Sequence, residues 1–125
     1  MTGDNKQTRV ERWRTTLMPL ESNLEQAINN LNETSLQIIL VVSPDGKLLG
    51  TITDGDIRRS LINSYDTKSS VETIMHREPL VVPPELSRKM VLQLMQANQV
   101  HHVPIVDENR HVLGLHLWDE IIAPS

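Results

Sequence analysis

The chain has 125 residues, a length that suits one compact domain or two very small repeats that share a core. Its formal charge of -4 and low aromatic content argue against nucleic-acid binding, which favours a basic surface with aromatic side chains. The absence of cysteine excludes disulfides and thiolate chemistry and fits a cytoplasmic location. Because the longest apolar run spans only residues 38–42 and no signal-like segment precedes it, we expect no membrane partner.

The first half of the chain follows the order strand, helix, strand, strand, helix. A flexible arm over residues 1–14 comes first, and Pro19 ends the first strand because proline lacks the N–H that a strand ladder needs. Ser22 or Asn23 supplies the cap of the first helix. Hydrophobic periodicity places the five elements, in order, at residues 15–18, 24–31, 38–42, 47–53 and 57–62.

The same order returns after a polar connector over residues 63–78, with predicted elements at 80–82, 86–97, 103–107, 111–117 and 118–122. Gly114 lies 64 residues after Gly50, and at that offset the apolar positions of the two halves agree without a gap. Either half alone would leave much apolar surface exposed. We therefore predict a mixed α+β fold of two tandem β-α-β-β-α repeats, 15–62 and 79–123, packed with pseudo-twofold symmetry around two equivalent clefts.

The stretch from Thr51 to Arg59 lies where a strand passes into a helix. Its hydroxyl and carboxylate groups therefore lie at a helix N-terminus, where unpaired backbone N–H groups and the helix dipole favour anions. Thr53 and Asp56 also have the spacing of a capping box, which satisfies those N–H groups and binds nothing else. Both interpretations stay open from the residues alone, and the extra negative charge of Asp54 opposes a phosphate.

The segments Gly50–Asp56 and Val103–Asp107 resemble the CBS domain (cystathionine-beta-synthase motif), and two such domains in tandem resemble a Bateman module. This resemblance covers residues 15–122. The chain also resembles the N-terminal regulatory part of bacterial sugar-phosphate nucleotidyltransferases. This second resemblance lies in residues 36–38, 51–59 and 114–120. This second resemblance implies that the chain is a regulatory fragment without catalytic activity of its own. It also implies that a C-terminal nucleotidyltransferase domain follows in the full-length protein.

In the family, the threonine of Thr-x-x-Asp contacts a nucleotide phosphate and the aspartate holds the ribose hydroxyls, which implies Thr53 and Asp56 here. The adenine-type base is expected to lie against the start of the predicted strand 38–42. The segment that enters the second repeat, residues 80–82, is expected to cover it. The implied contact residues are Gln37, Ile38 and Ile39 on the strand and Leu80, Val81 and Val82 on the covering segment. An adenine nucleotide such as AMP or ATP is the implied ligand, and no cofactor is required.

The second cleft departs from the motif, since Leu117 and Glu120 stand where the first cleft has its threonine and aspartate. Its candidate residues are His101, His102, Glu120 and Thr16. Adjacent strand residues point to opposite faces, so at most one of the two histidines faces the cleft, and histidines at the surface or core edge are the ordinary alternative. No Cys or His-x-x-x-His pair supports a metal site.

No Ser/His/Asp or Cys/His constellation indicates catalysis. We therefore predict a non-catalytic regulatory module, in which an adenine nucleotide bound between the repeats modulates an attached nucleotidyltransferase domain. The alternative is an assembly module, in which two copies meet through their helices as a homodimer and bind no ligand.

Overall fold

The computed structural model describes residues 12–124, so most of the predicted arm lies outside the described residues. A 3-10 helix, Arg12–Thr16, comes first. The first repeat consists of β1 (Leu17–Pro19), α1 (Leu24–Thr34), β2 (Ile38–Val42), β3 (Leu48–Thr53) and α2 (Asp54–Ile62). A short 3-10 turn at Val71–Thr73 precedes the second repeat, which consists of α3 (Arg88–Asn98), β4 (His102–Val106), β5 (Val112–Leu117) and α4 (Trp118–Ile122).

The two repeats match at the predicted offset of 64 residues, since α1 and α3, β2 and β4, and β3 and β5 share their bounds at that offset. The backbone irregularities repeat as well. Left-handed residues Ser35 (φ 59°) and Gln99 (φ 55°) end α1 and α3, and Gly46 (φ 89°) and Arg110 (φ 70°) occupy equivalent turns. The mixed α+β fold built from two repeats is therefore confirmed.

A symmetric contact links the two sheets at the pseudo-twofold axis. Lys47 and His111, equivalent residues of the two repeats, form an antiparallel bridge. The Leu48 N–H donates to the Arg110 carbonyl at 2.8 Å, and the equivalent Val112 N–H donates to the Gly46 carbonyl at 3.0 Å. These paired bonds fix the position of one repeat against the other.

Strand β2 is buried on both faces, which explains its uninterrupted apolar run. Ile39 and Val41 pack in the core of the first repeat, beneath α1 and α2. Ile38 and Leu40 point the other way and pack in a central cluster with residues of the second repeat, Val106 and Leu115. A third cluster, built around Val91, Met95, Val103 and Ile121, fills the second repeat. Neither repeat buries its inner sheet face without the other.

Two strands differ from the prediction. The strand expected at residues 80–82 is reduced to one bridge, Val82 to Ile105, because Pro83 and Pro84 follow and supply no N–H to extend it. The first strand begins at Leu17 instead of residue 15, because Thr15 and Thr16 belong to the preceding 3-10 helix. Their hydroxyls donate to the carbonyls of residues 12 and 13, each at 2.6 Å.

Candidate functional site

The first cleft lies between the repeats and has a volume of about 470 Å³. The end of β3 and the first turns of α2 contribute Thr53 and Asp56, and β2 contributes Ile38. Leu80, from the segment that enters the second repeat, lies in the same lining. The remaining wall includes Arg59, His76, Gln99, Val100, His101 and His102.

Three hydrogen bonds hold the Asp56 carboxylate. Its Oδ2 accepts from the Thr53 backbone N–H at 2.9 Å and from the Thr53 hydroxyl at 3.2 Å, and its Oδ1 accepts from the Arg59 guanidinium. The bond to the Thr53 N–H is the capping contact that the spacing predicts. The Asp56 side chain is 15% exposed and the Arg59 side chain 68% exposed, so the carboxylate is largely enclosed while its cationic partner is not.

The connector between the repeats forms one wall of the first cleft. Thr51 and His76 exchange backbone hydrogen bonds of 2.9 and 2.8 Å. Gly50 permits this approach, because an added Cβ would lie 2.8 Å from both the His76 carbonyl oxygen and the Met75 sulfur. Sequence reasoning missed His76, since a polar connector gives no periodic signal; the glycine at the paired strand position was the available indication of a close backbone approach.

The pseudo-twofold axis relates a second cleft, of about 450 Å³, to the first. Glu120 and Leu117 occupy the positions equivalent to Asp56 and Thr53, as the sequence predicts. Gln37, expected in the first cleft, lines the second one together with Arg12, Ser35, Leu36, Trp118 and Asp119. Its equivalent, His101, lines both clefts, as does His102. Gln37, which precedes β2, thus reaches the cleft beside α4, and His101, which precedes β4, reaches the cleft beside α2.

Four of the predicted contact residues lie outside the two cleft linings. Ile39 is fully buried in the core of the first repeat, because strand residues alternate and its neighbour Ile38 takes the cleft side. Val81 and Val82 line a separate groove beside Pro83, Pro84 and Glu85. Thr16, named for the second cleft, is fully buried, with its hydroxyl bonded to the Trp13 carbonyl.

The two histidines between the clefts lie in different surroundings. Burial lowers the pKa of His102, the neighbouring His101 lowers it further, and a hydrogen bond to the Leu36 backbone partly opposes both effects. His102 is therefore neutral at pH 7, with one ring nitrogen as donor and the other as acceptor. The His101 ring is exposed and lies 5.6 Å from the Trp118 ring, at an angle of 39° between the planes.

Two further properties concern residues 12–124 only. No three His, Cys, Asp or Glu side chains of this part come together as metal ligands. Its helices are all too short or too polar to cross a membrane.

A CBS domain family model matches residues 16–63 and, a second time, residues 71–115. The chain belongs to the CBS domain family. It is 30% identical over 99 residues to an uncharacterized protein of Rickettsia prowazekii, covering 79% of this chain and 31% of that one. It is also 30% identical over 114 residues to a probable arabinose 5-phosphate isomerase of Haemophilus influenzae, covering 90% of this chain and 32% of the isomerase. The chain thus spans about a third of the length of these relatives.

Solved structures share the fold. The CBS domains of a transcriptional regulator from Streptococcus pneumoniae superpose with a TM-score of 0.77 at 17% identity, over 91% of each chain. The cytosolic domain of the Mg²⁺ channel MgtE, determined in complex with ATP, superposes with a TM-score of 0.73 at 20% identity. That match covers 86% of this chain and 43% of the MgtE domain.

Proposed function

We propose that this chain is a non-catalytic regulatory module that binds an adenine nucleotide in the first cleft. The observation that carries the proposal is the meeting of Thr53, Asp56, Ile38 and Leu80 in one cleft between the repeats. The start of a helix offers donors to a phosphate, a carboxylate accepts from the two ribose hydroxyls, and two aliphatic side chains offer apolar surface to a purine ring. The ATP complex of the MgtE domain, which has the same fold, supports this ligand class.

The first cleft is the better candidate of the two. Leu117 has no hydroxyl to donate, whereas its equivalent Thr53 has one. Glu120 is exposed, whereas Asp56 is largely enclosed and already oriented by its hydrogen bonds. Nucleotide binding in the second cleft, against His101 and His102, is the weaker part of the proposal.

Calorimetric titration with AMP, ATP and S-adenosylmethionine tests the proposal. We expect heat of binding for wild type and for Glu120→Ala, the matched change in the second cleft, and its loss in Asp56→Ala. Because Asp56 also accepts a capping bond, thermal unfolding must establish that the Asp56→Ala variant is folded at the titration temperature. Equal heat in wild type and Asp56→Ala, or no heat with any of the three ligands, would refute the proposal.

Binding regulates an attached domain only if it favours one arrangement of the repeats over another. For that domain we retain a sugar-phosphate nucleotidyltransferase, on the likeness of residues 36–38, 51–59 and 114–120. The relatives reported above carry other names, so the catalytic partner depends on this likeness alone. Assay of the full-length protein for nucleotide-sugar formation, with and without the nucleotide bound by the module, tests both points. The predicted cytoplasmic location stays a prediction.

Exposed apolar side chains favour the second candidate function, assembly of a homodimer through the helices. Leu61 and Ile62 at the end of α2 are 48% and 74% exposed, and Ile122 on α4 is 51% exposed. Pairing of two copies through these helices would remove that apolar surface from water. Sedimentation should then give a dimer for wild type and a monomer for the double variant Leu61→Asp, Ile62→Asp. A monomeric wild type would exclude this function.

A further inference from the structure

We infer that Arg59 makes the first cleft select phosphorylated nucleosides over unphosphorylated ones, by exchanging its bond with Asp56 for a bond to the ligand phosphate. The inference rests on the proposed function and adds a residue that the Thr53-x-x-Asp56 spacing does not include. Arg59 lines the cleft, and its guanidinium bonds the carboxylate that a ribose would use.

The charges of the cleft lining support this role. Among the described residues that line the first cleft, Arg59 is the single arginine or lysine and Asp56 the single carboxylate. The lining also holds three histidines, His76, His101 and His102, and burial keeps His102 neutral at pH 7 by lowering its pKa. With the histidines counted as uncharged, the lining without Arg59 would carry a formal negative charge, and exposed Asp54 at the start of α2 would add to it. A phosphate would then be repelled at close range.

The contacts of Asp56 imply an exchange of partners. A carboxylate offers about four acceptor positions, and the bonds from the Thr53 N–H, the Thr53 hydroxyl and the Arg59 guanidinium use three. A ribose diol needs two, so either Arg59 or the Thr53 hydroxyl must release the carboxylate when the sugar binds. Arg59 is the more easily displaced partner, because an ion pair with a side chain that is 68% exposed contributes little.

In its position on Asp56, the Arg59 guanidinium already lies beside the proposed phosphate site. Arg59 folds back over the first turn of α2, where its Nη1 lies 3.4 Å from the position that a Cβ on Gly55 would take. Thr53 is the N-cap residue of the same helix, so its hydroxyl lies beside the same phosphate position. A phosphate bound there regains a charge-assisted hydrogen bond from Arg59, whereas an unphosphorylated nucleoside displaces Arg59 and offers it no partner.

Titration of Arg59→Ala and Arg58→Ala with ATP and with adenosine tests the inference. Arg58 is the matched control, since it is an exposed arginine on the same helix that does not line the cleft. We expect Arg59→Ala to weaken ATP binding about tenfold or more, the usual loss for a charge-assisted hydrogen bond. Adenosine should bind this variant as tightly as wild type or more tightly, because Asp56 is free.

Arg58→Ala should change both affinities by less than about twofold, as expected for an exposed charge outside the cleft. If Arg59→Ala weakens ATP and adenosine by the same factor, or changes neither, the inference is wrong while nucleotide binding stands. If wild type binds neither compound, the proposed function is wrong and the inference is wrong with it. The two failures are therefore distinguishable.

Discussion

Gly50 and Gly114 occupy equivalent positions in β3 and β5, yet alanine should affect them differently. A Cβ on Gly50 would lie 2.8 Å from the His76 carbonyl oxygen, a backbone atom that accepts from the Thr51 N–H, and the His76 N–H donates in turn to the Thr51 carbonyl. A Cβ on Gly114 would meet the Ile105 Cδ1 atom at 3.2 Å, and that atom is the far end of a flexible side chain and not backbone. Gly50→Ala therefore forces the connector away from β3, whereas Gly114→Ala does not move backbone.

The expected magnitude follows from two opposing effects. Overpacking costs about 1–3 kcal/mol, and replacing a glycine inside a strand gains about 0.5–1 kcal/mol. The free energy of unfolding should therefore fall by about 1–2 kcal/mol in Gly50→Ala and change by less than about 0.5 kcal/mol in Gly114→Ala. Urea titration at equal m-values measures both, and the affinity for ATP should fall in Gly50→Ala because His76 shifts. Equal stabilities for the two variants would refute this reasoning.

Two further predictions concern the second repeat. Arg88 donates to the carbonyls of residues 120, 121 and 123 at the end of α4, so Arg88→Ala should lower the free energy of unfolding in urea by about 1–2 kcal/mol. Lys89→Ala, the exposed control, should change it by less than about 0.5 kcal/mol. Burial holds the pKa of His102 below 6.5, so the unfolded chain takes up more protons and stability falls as the pH drops through 6.5. His102→Gln should flatten that decline between about pH 7 and 5, and an unchanged slope would contradict it.

The architecture was accessible from the sequence because apolar residues recur at matching positions of both halves. The offset between Gly50 and Gly114 gave the repeat, and the bounds of the equivalent strands and of α1 and α3 follow it. Thr53 and Asp56 were predicted together because helix capping and anion binding both need polar groups at the first turn. Arg110, which takes the left-handed turn conformation of Gly46, shows that a repeat can persist in the backbone without identical residues.

The assignment of residues to clefts was harder to predict, because it depends on how the repeats are joined. Gln37 and His101 are equivalent, and each reaches the cleft of the opposite repeat. The contacts that fix the repeats against each other, such as the bridge between Lys47 and His111, join distant parts of the chain, and no local pattern indicates them. Ile39 was placed with its neighbour Ile38, although strand alternation sends the two side chains to different cores.

A crystal structure of the protein grown with saturating ATP would show whether the first cleft holds a nucleotide. We expect phosphate density within hydrogen-bonding distance of the Thr53 hydroxyl and the Arg59 guanidinium, with the ribose hydroxyls on the Asp56 carboxylate. An empty first cleft under those conditions, or ATP bound at another surface, would contradict this expectation.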